Sequence, residues 1–186
     1  MTSKAKLTVL VFIALYPACG KSGGGSGSSG DGLSGIYAVK SQTKNSESCD
    51  SEGPADTYAP AFYRIFPVSE IFPGASGWSS QRCDAIASCS GDTIDLGAFS
   101  FETGNGQSWT GESVSTGSGG GNCSITVNAS TASKQADDTL SIELRRLSGV
   151  FEIAAADCKT DSVKVTEKRS ELTCSALTKI IATSAK

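Results

Sequence analysis

The sequence predicts an all-β fold, an antiparallel meander of about 8–10 strands forming a small barrel or a two-sheet sandwich, stapled by disulfides. Three observations predict it. Apolar and polar residues alternate with the two-residue period of a half-buried strand. Gly-rich and Asn-Gly turns break that alternation at short intervals. Seven cysteines, a single Met, and 21 glycines among 186 residues are typical of an exported β domain.

The strands are expected in the following order. Gly35 to Gln42 (GIYAVKSQ) opens the series. Phe62 to Phe66 and Val68 to Phe72 form an apolar pair, with Pro67 marking an edge or bend between them. Ile94 to Glu102 and Ser108 to Thr116 flank Asn105-Gly106, a dipeptide that supplies the positive φ angles of a tight hairpin turn. Ser118 to Gly121 turns the chain into Cys123-Ser124-Ile125-Thr126-Val127. The next strand sets Leu140, Ile142 and Leu144 on one face and Ser141, Glu143 and Arg145 on the other. Val150 to Ala154, Ser162 to Thr166 and Glu171 to Ile181 complete the set, the last with room for a helical turn near Ser175-Ala176-Leu177.

Ahead of these strands, Lys4 and Lys6 precede an apolar run from Leu7 to Leu15 (LTVLVFIAL). The run is shorter than the roughly 20 residues that span a bilayer, and with its charged flank it reads as an export signal. Tyr16-Pro17-Ala18-Cys19 follows and resembles the lipobox of bacterial lipoproteins. Ala18 is the small residue before the modified cysteine, while Tyr16 and Pro17 stand where that family has Leu and a small residue. The resemblance implies a signal peptide over residues 1–18, a diacylglyceryl thioether on Cys19 and anchorage in a membrane. Gly20, where related lipoproteins kept in the inner membrane carry Asp, implies the outer membrane.

Residues 19–32 then form the lipidated cysteine and a Gly/Ser tether (GKSGGGSGSSGDG after Cys19) with a reach of about 20 Å. Gly25 to Gly30 spells a dinucleotide-binding pattern and Gly20-Lys21-Ser22 the end of a phosphate loop. Neither sits between a strand and a helix, and the phosphate loop would need glycine where Leu15 stands, so both are read as tether. Residues 33–186 make one β domain, long enough to bury roughly 70 % of its unfolded surface.

Setting Cys19 aside leaves Cys49, Cys83, Cys89, Cys123, Cys158 and Cys174, an even number that suits three disulfides in an oxidising compartment. Cys83 and Cys89 are close enough to staple one loop. Cys158 and Cys174 could bridge the ends of the last hairpin, leaving Cys49 for Cys123, one of 15 connectivities that six cysteines allow. Each bond is expected to add about 2–4 kcal/mol.

Cleavage before Cys19 removes two of 16 basic residues and none of 19 acids, so the mature charge is 14 minus 19, or −5. Such a protein is not drawn to nucleic acid. The absence of histidine removes the commonest acid/base and the usual serine and cysteine nucleophile pairs. Gly74-Ala75-Ser76-Gly77 is not a nucleophile elbow. No Cys-x-x-Cys occurs, and no metal or other cofactor is expected. The acids at Asp50/Glu52/Asp56 and Asp84/Asp92/Asp95 read as solvated loop groups rather than a glycosidase pair or a calcium site.

Trp78, in the loop Pro73-Gly74-Ala75-Ser76-Gly77-Trp78, is the best candidate for a binding surface, with Tyr58 and Tyr63 near it in sequence; Trp109 falls in a strand and is expected in the core. Gly35-Ile36-Tyr37 resembles the Gly-x-Trp opening of lipocalins, with Tyr in place of Trp. That resemblance implies a barrel around an apolar cavity. The expected function is a monomeric, non-enzymatic binding or structural module held at the envelope by its lipid, with a protein, glycan or apolar ligand as partner; the alternative is a lipocalin-like carrier of a lipid or other apolar ligand.

Overall fold

A computed structural model describes residues 32–90 and 99–185. Contacts divide the chain into Met1–Gly30 and Asp31–Lys186. The expected signal peptide, Cys19 and nearly all of the tether lie outside the described residues, as do Asp92, Asp95 and the first part of the strand expected from Ile94.

The alternation resolves into nine antiparallel strands: β1 (Gly35–Asn45), β2 (Phe62–Pro67), β3 (Trp78–Cys83), β4 (Ser100–Phe101), β5 (Thr103–Gly104), β6 (Ser108–Gly119), β7 (Asn122–Lys134), β8 (Thr139–Phe151) and β9 (Thr173–Ser184). They form one sheet in the order β4-β3-β2-β1-β9-β8-β7-β6-β5. Its two edge strands, β4 and β5, are consecutive pieces of one segment. Ser100 and Phe101 pair with β3, Glu102 N–H donates to Thr110 C=O at 2.8 Å, and Thr103 and Gly104 pair with β6. The segment thus crosses between the edges and nearly closes the sheet into a barrel.

Closure depends on a glycine. Where β4 passes over β6, a methyl group at Gly111 would collide with the Ser100 carbonyl oxygen and stand 2.8 Å from Phe101 Cα. The Ser130 hydroxyl, across from Gly111 on β7, donates to the Ser100 carbonyl and fixes the crossing.

The interior holds Tyr37, Tyr63, Ile65, Phe99, Phe101, Trp109, Leu140, Ile142 and Ile180, all buried. A second, smaller core lies on the opposite face of the long β6–β7–β8 ribbon. On β7 the buried side chains change face, from Ser130 and Ala132 to Cys123, Ile125 and Val127. Cys123 and Ile125 are covered by Ile153, Val165 and Leu172 from the β8–β9 connection.

Several local expectations are corrected. Val68 to Phe72 is not a strand: after Pro67 the chain makes a 3-10 turn over Val68–Glu70, and Phe72 is half exposed. Ser162 to Thr166 is not a strand either. The Ser162 hydroxyl accepts from Val165 N–H at 3.2 Å and caps a helix, α1 (Val163–Lys168), in which Val165 is buried and Val163 exposed. Glu152 to Ala154 lies beyond the end of β8, and Ser175 to Leu177 is extended within β9. The Asn105-Gly106 hairpin forms one residue out of the expected register: Gly106 takes φ +86° at the first central position, while the Asn105 side chain accepts from the N–H groups of Gln107 and Ser108. Between β6 and β7, Gly120 and Gly121 supply both positive φ angles of a two-residue turn.

The disulfides are Cys83–Cys89, as expected from sequence, and Cys49–Cys174 and Cys123–Cys158, which correct the other two pairings. Loop closure alone did not reveal that β9 returns beside β1, which brings Cys174 to Cys49, or that the β8–β9 connection folds back over the start of β7.

Two measurements check this description. Gly111→Ala should destabilise the fold by about 1–3 kcal/mol, with faster amide exchange at Glu102 than at β7; unchanged exchange there would remove the closure argument. Removing the disulfides pairwise as Cys→Ala should lower the unfolding free energy by about 5, 4 and 2 kcal/mol for sequence separations of 125, 35 and 6, read from urea midpoints. A different order would point to native contacts, rather than loop length, as the source of their effect.

Candidate functional site

The inner wall of the barrel changes chemistry layer by layer along its axis. One layer, connected by cross-strand register, runs Gln42, Ile180, Ile142, Ala132, Trp109. The next runs Lys44, Thr178, Leu144, Ser130, Gly111, and beyond it lie Ala176, Arg146, Asn128 and Ser113. The strand period keeps all of these residues on the inward face, so side chains grade from apolar filling to hydroxyls, amides and charges toward one end. At that end the wall surrounds a cup of about 440 Å³, within the size range of small-molecule sites.

The cup is floored by Phe99 and Leu144 and rimmed by Lys44, Arg82 and Arg146. Arg82 reaches it from β3, where it pairs across from Tyr63. Among the described residues, none of the three cations has a carboxylate within ion-pair distance. The Arg146 Nε–H donates to Asn128 Oδ1 at 3.3 Å. A fourth cation on the lining, Arg145, is held by Glu143; elsewhere on the domain Lys179 binds Glu52 and Arg169 binds Glu112.

A polar chain joins the core to the rim. The Tyr63 hydroxyl donates to Gln42 Oε1 at 3.1 Å, and Gln42 Nε2–H donates to Asp56 Oδ2 at 2.8 Å. The Tyr58 backbone N–H donates to the other Asp56 oxygen and is the main reason its carboxyl is held below the usual range; Gln42 adds to the effect, with smaller contributions from the nearby Lys44 and Arg82. Burial pushes the Tyr63 phenol above its ordinary value.

The residues singled out from sequence do not assemble into one surface. Tyr63 is 2 % exposed and belongs to the interior, so it is not part of a binding surface: the strand alternation that buries Ile65 buries it too. Trp78 lies not in a loop but at the start of β3, half-buried against the core at the end opposite the cup. Tyr58 is 92 % exposed on the turn that Asp56 ties to Gln42. Of the acids named from sequence, Glu52 holds Lys179 and Asp56 holds Gln42. No cluster of three potential metal ligands occurs among the described residues.

Lys44, Arg82 and Arg146 were missed by the sequence reading, although one signal was present. Arg146 continues the Leu140, Ile142, Leu144 alternation and so shares their inward face. Compared with known proteins, the chain matches no family model, and neither a curated protein nor a solved structure is significantly similar to it.

The raised Tyr63 value has a testable sign. Its neutral form is favoured in the fold, so its contribution to stability is complete below the ordinary tyrosine value of 10.0 and is lost as pH rises through its own higher value. The stability of the wild type relative to Tyr63→Phe should therefore fall above about pH 10 in urea titrations; a difference that stays flat to about pH 11.5 would contradict the assignment.

Proposed function

We propose that this protein is a lipid-tethered, extracytoplasmic carrier that holds a small molecule in the cup at the mouth of its barrel. The observation that carries this reading is the graded inner wall: closely filled by Trp109, Ile142 and Ile180 at one end, and opening at the other into a concave, solvent-reached cup of about 440 Å³. A barrel with a purely structural role has no need for charges and hydroxyls on the face its neighbouring layers fill with apolar side chains. The same filling distinguishes the carrier from a lipocalin with a deep apolar cavity, because the bound molecule sits at the rim, above the side chains that occupy the interior.

The tether part of the proposal rests on sequence. The Leu7 to Leu15 run, the lipobox-like Tyr16 to Cys19 and the Gly/Ser stretch after it support export and lipid attachment. Three disulfides in the domain suit an oxidising compartment. The chemistry expected is binding, not turnover: the sequence has no histidine, and Glu52 and Asp56 are engaged by Lys179 and Gln42.

Mass spectrometry of protein taken from its native membrane tests both parts. The denatured mass is expected to show acylated Cys19 and, on reduction, a gain of six hydrogens from the three disulfides. The native spectrum is expected to show an additional non-covalent mass. Its absence from protein extracted under gentle conditions would leave a displayed structural module in place of a carrier, and an unmodified Cys19 would remove the anchor.

A further inference from the structure

The geometry points to an organic oxyanion as the molecule the cup takes: a phosphate or sulfate group bound by Lys44, Arg82 and Arg146, with a compact body resting on Phe99 and Leu144. This inference deepens the carrier reading and rests on it. Four cations from three strands line one concavity; Arg145 is held by Glu143, and among the described residues the other three, one from each strand, have no ion pair. Like charges gathered on one wall repel, and an arrangement of this kind is relieved when an anion enters. Guanidinium groups match the oxygens of a tetrahedral oxyanion by paired, charge-assisted hydrogen bonds, and a lysine adds a point charge.

The local sign opposes that of the whole protein. The chain carries a net charge of −3, yet the cup has four cations on its lining, Lys44, Arg82, Arg145 and Arg146, and no acid; among the described residues only Arg145 is held by a carboxylate, that of Glu143. Asp56, the acid that approaches through Gln42, has its oxygens engaged by Gln42 and the Tyr58 N–H and offsets one charge at most. The floor supplies the second part of the specificity. Phe99 is 7 % exposed and tilted against Tyr63 and Phe101, which fixes its ring as a rigid apolar base. An inorganic ion alone would leave that base uncovered, and a neutral lipid would leave the cations unanswered.

The test uses the mature protein and three probes: 1-naphthyl phosphate, 1-naphthol and inorganic phosphate, each titrated by calorimetry at low and high salt. Naphthyl phosphate is expected to bind at least about tenfold more tightly than either of the others and to weaken as salt is added. Lys44→Gln, Arg82→Gln and Arg146→Gln should each weaken it about tenfold with an unchanged melting temperature, because all three side chains are exposed. Lys179→Gln, on the outer face of the same sheet, should leave binding unchanged. Equal binding of naphthol, or indifference to the three substitutions, would overturn the oxyanion assignment while leaving the carrier reading intact. Equal binding of inorganic phosphate would overturn the organic body and leave a plain anion site. Binding of none of the probes would overturn the inference, and the native mass would still decide the carrier reading separately.

Discussion

A backbone-on-backbone crossing holds this barrel together. Ser100 and Phe101 lie directly over Gly111, so one short segment is both the last strand of one sheet edge and the first of the other. With a side chain at position 111 the segment could pair with β3 or with β6 but not pass between them. The crossing shuts water away from Phe101 and Trp109, which are 1 % exposed, and sets which inward residues share a layer. The cup inherits its shape from that closure. Ser100 is part of its wall, and Ser130, which holds the crossing, is another part.

Stabilisation is divided along the barrel axis. At the end where the chain enters, burial does the work: Leu33, Tyr37, Leu140 and Ala182 are all at or below 3 % exposed, and the Tyr37 hydroxyl closes on the Leu33 carbonyl at 2.7 Å. At the other end the inward face is charged and wet, and burial cannot hold it, because enclosing unpaired charges is costly. There the cysteines stand at or just beyond strand ends: Cys49 after β1, Cys83 at the end of β3, Cys123 near the start of β7 and Cys174 near the start of β9. The bonds fix a rim that apolar packing cannot, and the outer-face core under α1 adds a second brace.

Much of the architecture was legible as period-two alternation, because in a half-buried sheet the side chain pattern is the fold. β8 is the clearest case, with Leu140 and Ile142 buried and Leu144 following them on the same face. Short segments were read less well. Val163 and Val165 mimic the alternation of a strand between Ser162 and Thr166, whereas the Ser162 cap, worth about 1 kcal/mol, and the burial of Val165 favour a helix. The disulfide pairs required knowing that β9 lies beside β1, a long-range fact that no local spacing contains. The site was the least legible part. Lys44, Arg82 and Arg146 are separated widely in sequence and look like ordinary surface charges until the register places them in one concavity. The aromatic residues drew attention instead, yet Tyr63 is buried because large rings fill a narrow barrel efficiently.

The first and last strands meet at the end remote from the cup. Ala185 N–H donates to the Ile36 carbonyl at 2.8 Å, and Tyr37 lies opposite Ser184. A domain whose two ends leave side by side behaves as a plug-in unit: it can be grafted into a surface loop of a host protein, or have its ends joined and new ones opened elsewhere, with both connections at one pole. The opposite pole then stays clear of either splice, which makes the charged rim a surface that can be re-engineered without touching the joints.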